Sequence, residues 1–132
     1  MSIALRVFLG LMVLFHLLAF IGEAILWSNP GFQAALLPRL NPDSSMDPVD
    51  EGAALTTLFI NQGFYNLMIA VGAVIALRLG LRNDMAPALV LAGYLGAFVL
   101  VAGIVLGTTT SAVAGAILQG GIGLGTLLLS RR

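Results

Sequence analysis

A chain of 132 residues that is 59% hydrophobic and 9% charged cannot cover a water-facing surface, because soluble domains carry roughly 25% charged residues. Six basic and six acidic residues give a formal net charge of zero, so no overall field attracts nucleic acid, and we predict no such partner. The absence of cysteine excludes disulfides, thiolate metal sites and thiol nucleophiles.

The first predicted helix is an apolar run over residues 3–27, long enough to cross the roughly 30 Å core of a bilayer. A cleaved signal peptide is a competing interpretation, because Arg6 gives the run a basic start and Gly22-Glu23-Ala24 offers small residues. The run is long for a signal sequence, however, and His16 and Glu23 interrupt it. These features favour a retained membrane helix.

The one long connection runs from Ser28 to Glu51 and holds four of the five prolines. Within it, residues 31–37 are predicted to form a short interfacial helix. Trp27, just before the connection, is predicted to anchor the first helix at the outer membrane boundary. The connection ends in a helix start, with Asp47 as the N-cap and Pro48 as the first helical residue.

Three more apolar runs, over residues 53–77, 86–106 and 112–129, complete a single all-α domain over residues 1–132. We therefore predict a four-helix transmembrane bundle with the lipid bilayer as its main partner. Its orientation follows from the arginines, because positively charged flanks stay in the cytoplasm. Both termini are predicted to be cytoplasmic, since five arginines share their side and one lies opposite: Arg6, Arg78, Arg82, Arg131 and Arg132 against Arg39.

Ionisable and amide side chains are costly inside membrane spans, so they usually face the bundle interior and often form a site. His16 and Glu23 lie two turns apart on one face of the first helix. The same reasoning places Gln62 and Asn66 on one face of the second. We expect a polar core among the first, second and fourth spans, with these ligand- or proton-binding candidates: His16, Glu23, Asn61, Gln62, Tyr65, Asn66 and Gln119.

This polar cluster has two interpretations, and the sequence leaves both open. It can be a hydrogen-bond network that fixes how the helices pack. It can also bind a proton, an ion or a small ligand, because Glu23 has no basic partner within the membrane except His16. No metal centre is predicted, since one histidine and one carboxylate are two ligands where a catalytic zinc site usually has three.

Glycines concentrate on the third and fourth predicted spans. Gly121-x-x-x-Gly125 on the fourth span is a pair of small residues that lets two helix backbones approach closely. Gly96 and Gly103 mark the third span and are packing candidates with that pair. Helix packing within one chain explains such glycines. The alternative is that they form the interface of a homodimer.

Three stretches together resemble a family of small bacterial membrane proteins catalogued as a domain of unknown function, number 1304. They are His16-x6-Glu23 followed by Trp27, the string Asn61-Gln62-Gly63-Phe64-Tyr65-Asn66, and Gln119-Gly120-Gly121. The resemblance covers nearly the whole chain and implies a four-helix fold in the bacterial inner membrane, with these polar positions as family features. It implies no activity, and the cofactors remain unknown.

Three classes of function fit these residues. The first is a proton-linked carrier or binder of a small solute, in which Glu23 and His16 exchange protons and the amides hold the solute. A carrier of this size requires a homodimer. The second is a small membrane enzyme that acts on a lipid-soluble substrate such as a quinone, with Glu23 or His16 as general base. The third is an accessory subunit whose glycine-rich helices dock on a larger complex.

Overall fold

A computed structural model describes residues 1–131, which contain helices and no β-strand. The predicted all-α class is confirmed, and Arg132 lies outside the described residues. The helices are α1 (Ile3–Phe20), which continues as a π-helical segment (Ile21–Leu26), then α2 (Pro30–Leu40), α3 (Pro48–Leu81), α4 (Met85–Thr109) and α5 (Val113–Leu129). Three of them, namely α1 with its π-helical segment, α3 and α4, are long and apolar enough to cross a membrane, and α5 is a shorter apolar helix.

The ends of the helices follow local capping chemistry. The Asp47 carboxylate accepts a hydrogen bond from the backbone N–H of Val49 at 2.9 Å, and Pro48 is the first residue of α3, as predicted. The Asn29 side chain caps α2 in the same way, accepting from the N–H of Gly31 at 2.8 Å. Side-chain acceptors of this kind satisfy backbone donors that have no partner inside the helix.

Helix α3 is longer than the membrane span predicted within it. α3 has 34 residues, which is about 51 Å at the usual rise, against roughly 30 Å for the hydrocarbon core of a bilayer. The predicted span over residues 53–77 lies inside it, with helical extensions at both ends. The chain leaves α3 through Asn83, whose φ of 63° lies in the left-handed region that asparagine tolerates.

The helices α1, α3, α4 and α5 form a closed ring in which each packs on the next and α5 returns to α1. At one end of this ring the Met1 amino group donates to Met85 Sδ at 3.1 Å. At the opposite end the Ser111 N–H donates to the carbonyl of Leu40 at 3.1 Å. We call the end at Ser111 and Leu40 the α2 end. We call the end at Met1 and Met85 the arginine end, because four arginines lie there: Arg6, Arg78, Arg82 and Arg131.

The main core lies in the half of the bundle nearer the arginine end. Large side chains of α1 and α4 meet alanines of α3 and α4, which lets the helices pack closely. Its buried members are Leu5, Leu9, Met12, Ala73, Ala76, Ala92, Leu95, Val99 and Ile122. Lipid chains are as apolar as these residues, so the fit between surfaces, rather than exclusion of water, is what holds such a core together in a bilayer.

The helices α4 and α5 approach closely, and their backbones are in contact at four glycines. A Cβ on Gly96 would lie 2.6 Å from the backbone nitrogen of Leu127. Gly103 contacts the backbone of Gly120, and Gly123 of α5 meets the backbone of α4 in the same manner. This seam requires residues without side chains, because backbone atoms cannot rotate away from a clash.

The predicted glycine pair on α5 does not belong to this seam. A side chain at Gly125 would meet the ring of Phe8 on α1. Gly121 has no neighbouring atom within 4 Å of where a Cβ would be. Of the four predicted packing glycines, Gly96 and Gly103 therefore join α4 to α5, Gly125 allows the approach of α1, and Gly121 faces open space.

A second, smaller core lies at the α2 end around Trp27, which is 0% exposed. Its ring stacks on Phe59 with centroids 3.5 Å apart and planes 7° apart, and its indole N–H donates to the Gly52 carbonyl at 3.1 Å. The Gln33 amide donates to the Trp27 carbonyl at 2.7 Å. The prediction of Trp27 as an interfacial anchor is wrong, because α2 folds over the start of α3 and encloses the ring.

Hydrogen bonds hold α2 in this position at both of its ends. The Gln33 bond fixes its first turns, and the bond from Ser111 to Leu40 fixes its last residue to the turn between α4 and α5. Just beyond that end, Asn41 donates to Glu51 at 3.0 Å. The predicted helix over residues 31–37 is thus present within α2, and it packs on α3.

Candidate functional site

The π-helical segment interrupts the first helix at Glu23, a residue that the sequence singles out. A π turn holds one more residue than an α turn and occurs frequently at functional sites. Here it turns the half-buried Glu23 toward α3, where Oε2 accepts a hydrogen bond from Asn66 Nδ2 at 2.7 Å. Asn66 is 5% exposed, and its Nδ2 also lies 3.3 Å from the carbonyl of Gln62.

Gly63 allows the π-helical segment to lie against α3. A Cβ at this position would be 2.7 Å from the Cβ of Ala24 and 2.8 Å from its backbone nitrogen. The absence of a side chain at Gly63 therefore sets the distance at which Glu23 and Asn66 meet. Sequence reasoning assigned no role to Gly63, although it lies between the polar residues of α3, because a lone helical glycine has many explanations.

His16 lies on the inward face of α1 and is 0% exposed. Its Nδ1 is 2.8 Å from the carbonyl of Met12, and a carbonyl only accepts, so the proton is assigned to Nδ1 and Nε2 becomes an acceptor. No group within residues 1–131 donates to this Nε2. A buried acceptor without a donor destabilises a fold by about 1–3 kcal/mol, so a hydrogen-bond donor placed against Nε2 would be stabilising.

Gln119 of α5 lies at a similar level in the bundle. Phe8 and Gly125 are in contact, and counting from them toward the α2 end places His16 about 12 Å and Gln119 about 9 Å away. Both residues are buried, at 0% and 8% exposure. The two polar side chains thus occupy the same layer of the bundle, although no hydrogen bond reaches His16 Nε2.

The other three predicted site residues do not join this cluster. Asn61, Gln62 and Tyr65 lie on the exposed part of α3, and Tyr65 is 65% exposed. The inward stripe of α3 contains Gly63 and Asn66, and a helical turn places Asn61 and Tyr65 on the opposite side. The convergence expected of six polar side chains is therefore wrong for Asn61 and Gln62, and the binding candidate Tyr65 also lies outside the cluster.

Four polar residues remain in the interior, arranged in two layers. The layer nearer the α2 end is the Glu23–Asn66 pair, and the other contains His16 and Gln119, about 10 Å farther along the first helix. A carboxyl and an imidazole can exchange protons, while the two amides can donate and accept hydrogen bonds. Residues 1–131 hold no group of three or more histidine, cysteine, aspartate or glutamate side chains suited to a metal ion.

The family model described as Protein of unknown function (DUF1304) matches residues 10–130. The chain is a member of the DUF1304 family. The match confirms the resemblance drawn from the three sequence stretches, and it contains all four residues of the polar interior. Searches of the curated proteins and of the solved structures found no match. Membership of the DUF1304 family assigns no activity.

Proposed function

We propose that this chain is an integral membrane protein that binds or carries a small polar solute in a proton-linked manner. The observation that supports this most directly is the 2.7 Å hydrogen bond that joins Glu23 of the π-helical segment to Asn66 of α3. The unpartnered Nε2 of His16, seven residues earlier on the same helix, adds a second group that can accept a proton or a hydrogen bond. Polar groups of this kind within a membrane usually belong to a transport or proton pathway.

The chemistry of the Glu23–Asn66 pair explains how proton and solute binding can be coupled. An ionised Glu23 only accepts hydrogen bonds, and it holds the Asn66 amide as a donor. A protonated Glu23 keeps one carboxyl oxygen as an acceptor for Asn66 and gains an O–H group that can donate to a further partner. A proton therefore changes the hydrogen bonds that the pair offers to a solute.

Glu23→Gln is expected to abolish proton-coupled movement of solute while it preserves the fold, because glutamine has the shape of the neutral acid but cannot exchange a proton. The measurement uses proteoliposomes with an entrapped pH-sensitive dye. Small neutral solutes (urea, acetamide and glycerol) are added outside, one at a time. The natural chain should show solute-dependent proton movement, and the variant should show none.

Glu51→Gln is the matched control. Glu51 also accepts from an asparagine, Asn41, but that pair lies at the α2 end, away from the bundle interior. Its variant should behave like the natural chain. Proton movement that persists unchanged in Glu23→Gln would refute the assignment of the proton to this carboxyl.

For the membrane placement we propose four spans, a location in the bacterial inner membrane and both termini in the cytoplasm. Three helices are long enough to cross, and α5, with 17 residues, reaches about 26 Å and serves as the fourth. The excess of arginine at the end that holds both termini supports this orientation. Lys and Arg flanks remain in the cytoplasm during insertion.

Single cysteines test this orientation, because the natural chain has none. Ser44→Cys lies between α2 and α3, and Asn83→Cys lies between α3 and α4. In intact cells a membrane-impermeant maleimide should label Cys at position 44 and leave position 83 unlabelled until the membrane is opened. Labelling in the reverse order would invert the proposed topology, and labelling of both in intact cells would contradict the span count.

A carrier of this size requires a second copy, and we propose a homodimer. The exposed face of α3 supports it, since Asn61 and Gln62 are costly when they face lipid and two copies can pair their amides. The open space at Gly121 supports the alternative contact through α5. Most of the other glycines of α4 and α5 already contact atoms of the same chain, so they are not free to contact a second copy.

A further inference from the structure

A groove on the outside of the bundle runs between α1 and α3, with a cavity volume of about 260 Å³. Its walls are apolar and include Leu17, Val71 and Val74. At one end it reaches Arg78, the one charged side chain in its lining. The groove shares no residue with the Glu23–Asn66 pair. A proposal for a ligand in this groove therefore rests on the proposed membrane placement and is independent of the proposed solute binding at Glu23.

The mouth of this groove carries excess positive charge. Arg82 follows Arg78 by one turn on the same face of α3. Arg6 precedes Val13, another lining residue, by two turns on the same face of α1. Among the six acidic residues of the sequence, Asp84 is the one at the arginine end, so the cations there outnumber the anions.

The dimensions of the groove match one leaflet of a bilayer. From Arg78 to Ala70 it follows α3 for eight residues, which is about 12 Å, against about 15 Å for half of the hydrocarbon core. Gly10 lies between Arg6 and Val13 on the same face of α1, and nothing lies within 4 Å of where its Cβ would be. The mouth is therefore open beside the arginines.

We propose that this groove binds one acyl chain of an anionic phospholipid whose phosphate is held by Arg78, with Arg6 and Arg82 beside it. A guanidinium forms paired hydrogen bonds with phosphate oxygens, which makes arginine well suited to this contact. The apolar walls receive the chain, and the opening at Gly10 leaves room for the glycerol. A zwitterionic phospholipid can place the same acyl chain in the groove, but the arginines repel its ammonium group.

Native mass spectrometry of the full chain tests the proposal, after incubation in mild detergent with equal amounts of phosphatidylglycerol and phosphatidylethanolamine of the same acyl composition. The natural chain should retain the anionic lipid in preference. Arg78→Gln should reduce that adduct by about fivefold, the effect of one cation at a lipid surface. Arg39→Gln, which removes a cation at the α2 end, should leave it unchanged.

A second pair of variants tests the shape of the groove. Gly10→Leu should fill the mouth and reduce the adducts of both lipids, whereas Gly121→Leu, in the separate groove between α4 and α5, should not. Equal retention of the two lipids by the natural chain would overturn the proposal. So would a preference that survives when Arg6, Arg78 and Arg82 are all replaced by glutamine. Displacement of the lipid by excess inorganic phosphate would overturn the role of the acyl chain.

Discussion

Trp27→Ala is expected to lower the free energy of unfolding by about 4 kcal/mol, the usual result of emptying a buried aromatic site. The ring is 0% exposed and stacks on Phe59, so its removal leaves a cavity bounded by α2 and α3. The change also leaves the Gly52 carbonyl without the indole donor. Because Trp27 contacts both helices, α2 should separate from the bundle before the main core unfolds.

The measurement is unfolding by sodium dodecyl sulfate in mixed micelles, followed by circular dichroism, since Trp27 is the one tryptophan of the chain. Trp27→Phe retains a stacking ring and loses the hydrogen bond, so it should cost only about 1 kcal/mol. Tyr94→Ala removes an aromatic ring that is 66% exposed and should have little effect. If Trp27→Ala is as mild as Tyr94→Ala, the ring does not belong to a core.

Gly123→Ala is expected to destabilise the chain by about 3 kcal/mol, at the upper end of what overpacking costs. The added Cβ would collide with the backbone nitrogen of Leu100 and lie 2.7 Å from its Cα. The carbonyl carbon of Val99 is also 2.7 Å away. All three atoms belong to the backbone of α4, so relief requires the two helices to move apart along their whole seam.

Gly121→Ala is the matched control, since it makes the same change two residues away on the same helix. No atom lies within 4 Å of the new Cβ. Alanine favours a helix over glycine by about 1 kcal/mol, so this variant should be neutral or slightly more stable. The same unfolding experiment, now followed by Trp27 fluorescence, separates the two variants. Equal stabilities would show that α4 and α5 are not in backbone contact at Gly123.

Much of this architecture can be predicted from local sequence signals. The Asp47-Pro48 start of α3 depends on capping within a few residues, and the structure reproduces it. The scarcity of polar residues in apolar runs also indicates Glu23 and Asn66 as interior candidates, together with the other polar residues of α3. What places these two side chains in contact, however, is the fit of Gly63 against Ala24, which links residues far apart in sequence.

Features that depend on packing between distant segments could not be predicted in this way. α3 has two polar faces, and the sequence does not state whether Asn66 or Asn61 turns inward. The π-helical segment has no local signature, because its extra residue is accommodated by Gly63 on another helix. Trp27 has the position of an interfacial residue, and only the return of α2 over α3 reveals that it is buried.

The attachment of α2 determines from which direction a molecule can approach Glu23. The ring of Phe32 lies 3.6 Å from where a Cβ of Gly22 would be, so α2 covers the π-helical segment from the side of the α2 end. Entry along the bundle axis would require rupture of the hydrogen bonds that Gln33 and Ser111 make. Under the proposed membrane placement and function, and with those bonds intact, a solute would reach the half-buried Glu23 from the side of the bundle. It would then have to leave water before it binds.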